Sequence, residues 1–161
     1  MKFRLFLEEY KQQQKKDYDC GVASVVSVLK FFNIEYKDYL DVQDKLKTDK
    51  NTGTLPEDIT AVLKKYDLTV KETFGKVGIL LVNVNEFYKD EKDHSEDDQN
   101  GHWVFYKNQP NDGTDEGIRI YDVWNDKTTL ININDTKKFT KNIKVKDKTF
   151  NDVVFSISSS K

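Results

Sequence analysis

A single cysteine in 161 residues rules out an internal disulfide and any four-cysteine zinc site, a usage that fits a reducing compartment. With only two prolines and seven glycines there is no linker rich in either, and no internal repeat, so one domain over residues 1–161 is expected. A surplus of one charge is missing as well. The 26 basic and 28 acidic side chains leave a net charge of −2, without the basic excess that phosphate contacts require, so nucleic acid is not an expected partner. No apolar run approaches bilayer length, and the opening Met1-Lys2-Phe3-Arg4-Leu5-Phe6-Leu7 is too short for a signal peptide. A cytoplasmic monomer with no membrane partner is expected.

The chain does hold aromatic residues, 12% of it, and these can build a core despite an apolar content of only 37%. In residues 19–32, Val22, Val25, Val26, Leu29 and Phe32 recur at helical spacing, with Asp19 as N-cap and Asn33 as stop. A second helix is predicted over residues 36–46. A third follows Thr54, with Pro56 in its first turn and Glu57 and Asp58 at the positive end of its dipole, and runs to Tyr66. Strands are predicted over 68–73, 79–84, 102–106, 118–123, 127–133 and 153–157, with polar loops at 88–101 and 108–117. The lysine-rich stretch 137–148 reads as a solvated edge. Helices followed by a mostly antiparallel sheet define an α+β class.

Cys20 falls in the first turn of the strongest helix, where unpaired N–H groups and the helix dipole favour a thiolate over a thiol. A thiolate is the nucleophilic form. Gly21 next to it is read as room for a substrate carbonyl to approach the sulfur. The competing reading is a buried structural cysteine. Of the two histidines, His94 lies in a hydrophilic loop, whereas His102 opens an apolar strand and can aim its ring across a cleft while Trp103 and Phe105 face other ways. Antiparallel pairing of the strands at 102 and 118 would bring Asp122 beside His102 as the group that orients its ring, with Asn125 and Asp126 as competitors. Gln14, six residues before Cys20, offers an amide to an oxyanion, although Gln12 and Gln13 share that chemistry.

No cofactor or metal is expected. One cysteine with two histidines eight residues apart makes no zinc spacing, and Phe74-Gly75-Lys76-Val77-Gly78 lacks the spacing of a phosphate loop.

The order Gln14, Asp19-Cys20-Gly21-Val22-Ala23, Asn51-Thr52-Gly53-Thr54-Leu55, Gly101-His102-Trp103-Val104 and Tyr121-Asp122 resembles the papain superfamily over most of the chain. More narrowly it resembles the bacteriocin-processing, double-glycine leader peptidases and their stand-alone relatives. The resemblance implies a papain-like fold with the nucleophile at a helix N-terminus packed on the sheet. It also implies a cysteine peptidase acting on a peptide or protein, with Cys20 as nucleophile, His102 as base, Asp122 as orienter and Gln14 as oxyanion donor. Cleavage of a peptide or isopeptide bond through a thioester, or transfer of the acyl group to an amine or thiol, would use the same site. A catalytically idle papain-like module that binds a protein or peptide is the alternative, motivated by the long acidic segment 86–100.

Overall fold

Every residue from 20 to 29 is buried, so the first helix, α1 (Cys20–Phe31), is a core helix wrapped on all sides. The computed structural model describes residues 10–88, 101–108, 117–145 and 147–159. α1 stops where expected: Asn33 takes a left-handed conformation at φ 56° and closes the helix end. Helix α2 (Tyr39–Lys45) starts three residues later than its predicted first residue, because the Asp38 side chain caps it by accepting Asp41 N–H at 2.8 Å. Helix α3 (Pro56–Lys65) has its proline and two acids in the first turn, as its sequence requires.

The strands are β1 (Leu68–Lys71), β2 (Val77–Asn83), β3 (Gly101–Lys107), β4 (Ile118–Asp122), β5 (Lys127–Ile131), β6 (Ile143–Val145), β7 (Lys148–Phe150) and β8 (Val154–Ser159). Six form one sheet in the order β1-β8-β2-β3-β4-β5, every pair antiparallel, and β6 and β7 form a separate hairpin. This is the expected α+β architecture. The continuous apolar run of β2 reflects burial on both faces: Ile79 and Leu81 join the core under α1, and Leu80 and Val82 join a second core behind the sheet.

Three predicted elements come out differently. Val84 does not extend β2 but opens a short helix, α4 (Val84–Phe87), because Asn83 Oδ1 accepts the N–H groups of Asn85 and Glu86. The fifth strand ends at Ile131, and a 3₁₀ helix (Ile133–Lys138) follows, capped by Asn132 accepting Asn134 N–H. The lysine-rich stretch is not merely a solvated edge. It carries β6, whose Ile143 and Val145 are buried in the main core while Lys144 between them is exposed. His94 and most of the two polar loops lie outside the described residues.

Alternation along β3 fixes which residues meet. Trp103 and Phe105 join the core beneath α1 together with Tyr121 and Val123, whereas Val104 and Tyr106 join the second core with Ile118 and Ile120. By the same alternation His102 and Asp122 share the face away from α1.

Candidate active site

Cys20 is the first residue of α1 and is 9% exposed. Helix geometry leaves the first N–H groups of α1 without carbonyls behind them, so their positive ends gather at this thiol. Trp103 N–H donates to Cys20 Sγ at 3.4 Å, which ties the start of α1 to the start of β3. Trp103 is itself anchored by its indole Nε1–H to Thr54 O at 2.8 Å and stacks on Phe155.

The neighbouring residue on β3 supplies the second group. His102 is buried, and its Nε2 lies 3.0 Å from Asp122 Oδ1. Cys20 lies close enough to act electrostatically on this ring, and with Nε2 engaged by Asp122, Nδ1 is the nitrogen left to face the sulfur. The nucleophile candidate thus comes from the helix side of the sheet and the imidazole from the other side, and they meet at the open end of β3. Burial alone would lower the His102 pKa, but the charge of Cys20 and the hydrogen bond and charge of Asp122 outweigh it, raising the value to about 9. Burial acts on Asp122 in the opposite sense, and hydrogen bonds from His102, Tyr88 and Trp124 N–H hold its carboxyl well below the usual carboxylate range.

Of the three candidates for the orienting group, Asp122 alone meets the ring. Asn125 donates through Nδ2 to Asp122 Oδ2 at 3.0 Å, one step removed from the imidazole. Asp126 turns away and accepts the Tyr121 hydroxyl at 2.7 Å. The register that brings Asp122 to His102 pairs Phe105 with Tyr121 and Tyr106 with Ile120.

Gln14 sits on the loop before α1, held to the β4 end by its N–H to Val123 O at 2.8 Å. Its Nε2 donates one hydrogen to Lys16 O at 2.6 Å, and its buried Oε1 has no partner. Gln13 reaches Trp124 O, and Gln12 accepts from Lys30 Nζ, so the three glutamines are separated by the structure where their chemistry was equivalent.

Two expectations are corrected. Asp19 occupies the N-cap position but makes no cap hydrogen bond. Its fully buried carboxylate turns back and accepts the N–H groups of Lys15 and Lys16 instead. Gly21 does not leave space for substrate: a Cβ there would lie 2.5 Å from Thr54 Oγ1, so the missing side chain lets the Thr54 segment pack against α1.

Tyr88 and Trp124 were not singled out from the sequence. Tyr88 donates to Asp122 Oδ2 at 2.6 Å, and the Tyr88 and Trp124 rings lie 5.9 and 6.2 Å from the His102 ring. No local pattern marks either residue. A cleft of about 460 Å³ opens beside Cys20, walled by Tyr18 and Thr52 to Thr54 on one side and by Leu81, Gly101 and Val145 on the other, with Trp103 between. Among the described residues no cluster of histidine, cysteine and acidic side chains could hold a metal ion, and no helix is long and apolar enough to cross a membrane.

A buried thiol at a helix N-terminus, close to an imidazole that is oriented by a carboxylate, is a site suited to nucleophilic attack on a carbonyl. The model of the peptidase C39 family matches residues 8–151, and the chain belongs to that family. It is a cysteine peptidase. The peptidase domain of Streptococcus ComA, a bi-functional ABC transporter involved in a quorum sensing pathway, has a similar structure. Its TM-score is 0.64 at 16% identity, over 94% of this chain and 99% of that one. A double glycine motif protease from an AMS/PCAT transporter, solved in complex with the leader peptide, gives a TM-score of 0.56 at 14% identity over 92% of this chain and 89% of that one. No curated protein sequence matches the chain. These likenesses give the papain-like fold, and family membership favours the peptidase over the idle binding module.

Proposed function

We propose that the protein cleaves a peptide bond through a thioester formed on Cys20, with His102 and Asp122 as its partners. The observation that carries this reading is the His102–Asp122 contact at 3.0 Å, with Cys20 at the N-terminus of α1 acting on the same imidazole. The reacting form of the pair is the thiolate with the proton on His102, because the thiolate is the nucleophilic species. Sγ attacks the substrate carbonyl carbon, and the oxygen takes up negative charge facing the N–H groups at the start of α1 and the second amide hydrogen of Gln14. His102 gives its proton to the leaving amine, the carbon–nitrogen bond breaks, and a thioester remains. Water, giving a proton to His102, then attacks the thioester carbonyl, and the carboxylic acid leaves as Cys20 is restored.

The substrate we propose is a peptide lying extended in the cleft, with small residues next to the scissile bond. The support is the burial of Cys20, which is 9% exposed at the wall of a cleft also lined by Trp103 and Thr52 to Thr54, and the leader peptide held by the double glycine motif protease. Transfer of the acyl group to an amine would use the same residues with a different acceptor in the second step.

The test is to incubate the protein with a peptide carrying two consecutive glycines and to identify products by mass spectrometry. Two fragments, with a free acid at the new C-terminus, are expected from the wild type and none from Cys20→Ser. A product joined to an added amine would point to acyl transfer. Equal turnover by wild type and Cys20→Ser would remove Cys20 from the mechanism.

A further inference from the structure

The Asp122 carboxylate accepts four hydrogen bonds, two on each oxygen. Oδ1 receives His102 Nε2 and Trp124 N–H, each at 3.0 Å. Oδ2 receives Asn125 Nδ2 at 3.0 Å and the Tyr88 hydroxyl at 2.6 Å, the shortest of the four. Two carboxylate oxygens offer about four lone-pair sites, so the group is saturated. Three of the donors belong to β3 or to the turn that follows Asp122 itself. Tyr88 alone comes from another part of the chain, and its path is fixed: β2 ends at Asn83, whose side chain caps α4 and donates to the carbonyls of Lys141 and Asn142. Tyr88 N–H then closes α4 on Val84 O at 3.0 Å, and its ring packs on Phe87 at 4.9 Å. The side chain is 4% exposed and therefore meets Asp122 out of water, where a hydrogen bond to a charged acceptor is strong.

We propose that Tyr88 is a positioning residue of the peptidase reaction, acting through Asp122: its hydroxyl keeps the carboxylate ionised and turned so that Oδ1 faces His102. The inference rests on the reading of His102 and Asp122 as the partners of Cys20. Without the hydroxyl, Oδ2 keeps only Asn125, which is on a turn and exposed, and the carboxylate can rotate off the imidazole. The ring of Tyr88 would still pack beside His102, so packing and hydrogen bonding can be separated by one atom.

Tyr88→Phe is therefore the informative variant, with 3-fluorotyrosine at position 88, a stronger donor, as its opposite. Two readouts are taken: steady-state cleavage, and the pH titration of the Asp122 carboxyl carbon by NMR in an otherwise unchanged protein. In Tyr88→Phe, kcat is expected to fall about tenfold with KM within about twofold, the split of an interaction that matters in the transition state. Asp122 is expected to titrate at higher pH than in the wild type, and the fluorinated residue is expected to move it to lower pH. An Asp122 titration identical in all three proteins would overturn the proposal, whatever happens to kcat. Because the titration needs no turnover, it decides on Tyr88 even where the wild type fails to cleave any peptide, an outcome that would instead remove the peptidase reading of the site.

Discussion

The Asp19 carboxylate accepts the backbone N–H of Lys16 at 2.9 Å. The carbonyl of the same Lys16 accepts Gln14 Nε2 at 2.6 Å, so one peptide segment connects the residue before Cys20 to the amide read as the oxyanion donor. Lys15 N–H adds a second bond to the same carboxylate. A buried acid that binds two backbone N–H groups holds the loop more firmly than a cap on the helix would, because it constrains the loop at both ends. The arrangement explains why an acid stands immediately before the cysteine without capping its helix.

Asp19→Ala should therefore cost both stability and activity. Two N–H groups lose a charged acceptor inside the protein, a loss of about 2–3 kcal/mol measured by urea denaturation. Asp19→Asn keeps one acceptor oxygen and should recover more than half of that stability. If the alanine variant unfolds at the wild-type urea concentration, the loop is held by something else.

The His102 value of about 9, against an ordinary 6.5, sets the pH behaviour. A group whose pKa is raised by folding contributes stability that is fully present below about 6.5 and is lost as pH rises through about 9. Cleavage should fall over the same upper limb, because the neutral ring has no proton for the leaving amine. Cys20→Ala removes the charge that does most to offset burial, so the His102 ring, followed by NMR, should titrate at lower pH than in the wild type. Titration of wild-type His102 at its ordinary value would show that its neighbours do not outweigh its burial.

The parts of the site that could be read from the sequence are those governed by local periodicity. Antiparallel pairing of the strands at 102 and 118 placed Asp122 beside His102, and the register and the 3.0 Å contact bear this out. The helix period placed Cys20 at the start of α1, and Asn33 closed it. What escaped depends on where elements meet in space. Tyr88 reaches Asp122 across 34 residues, and nothing near Tyr88 in sequence signals an acidic partner. The β6 strand has only three residues, too few for its alternation to stand out from the surrounding lysines. Asp19 was misread because an acid before a helix has the same composition whether it caps the helix or the preceding loop.

Gly21 gives a test of close packing rather than of substrate access. In Gly21→Ala the new Cβ would sit 2.5 Å from Thr54 Oγ1 and 2.6 Å from Thr54 Cβ, distances that require the segment to move. Overpacking of this kind costs about 1–3 kcal/mol, visible as a lower thermal midpoint. Adding Thr54→Ala removes the hydroxyl but keeps its Cβ, so only part of the loss should return. An undiminished midpoint in Gly21→Ala would mean that the Thr54 segment yields freely.

Val145 tests whether the peptide lies along the cleft. It is 8% exposed and stands on β6 beside Leu81 and Gly101, forming the wall opposite Thr52 to Thr54. It touches none of Cys20, His102 and Asp122 through a hydrogen bond, so a change there should alter binding more than chemistry. Val145→Phe adds bulk to a cleft of about 460 Å³ and should raise KM about tenfold, with kcat changed by no more than about twofold. That pattern is the loss of binding shared equally by ground state and transition state. A fall in kcat at constant KM would show instead that the hairpin acts on the positioning of His102 through the start of β3. Unchanged kinetics would mean that the substrate leaves the cleft before reaching β6.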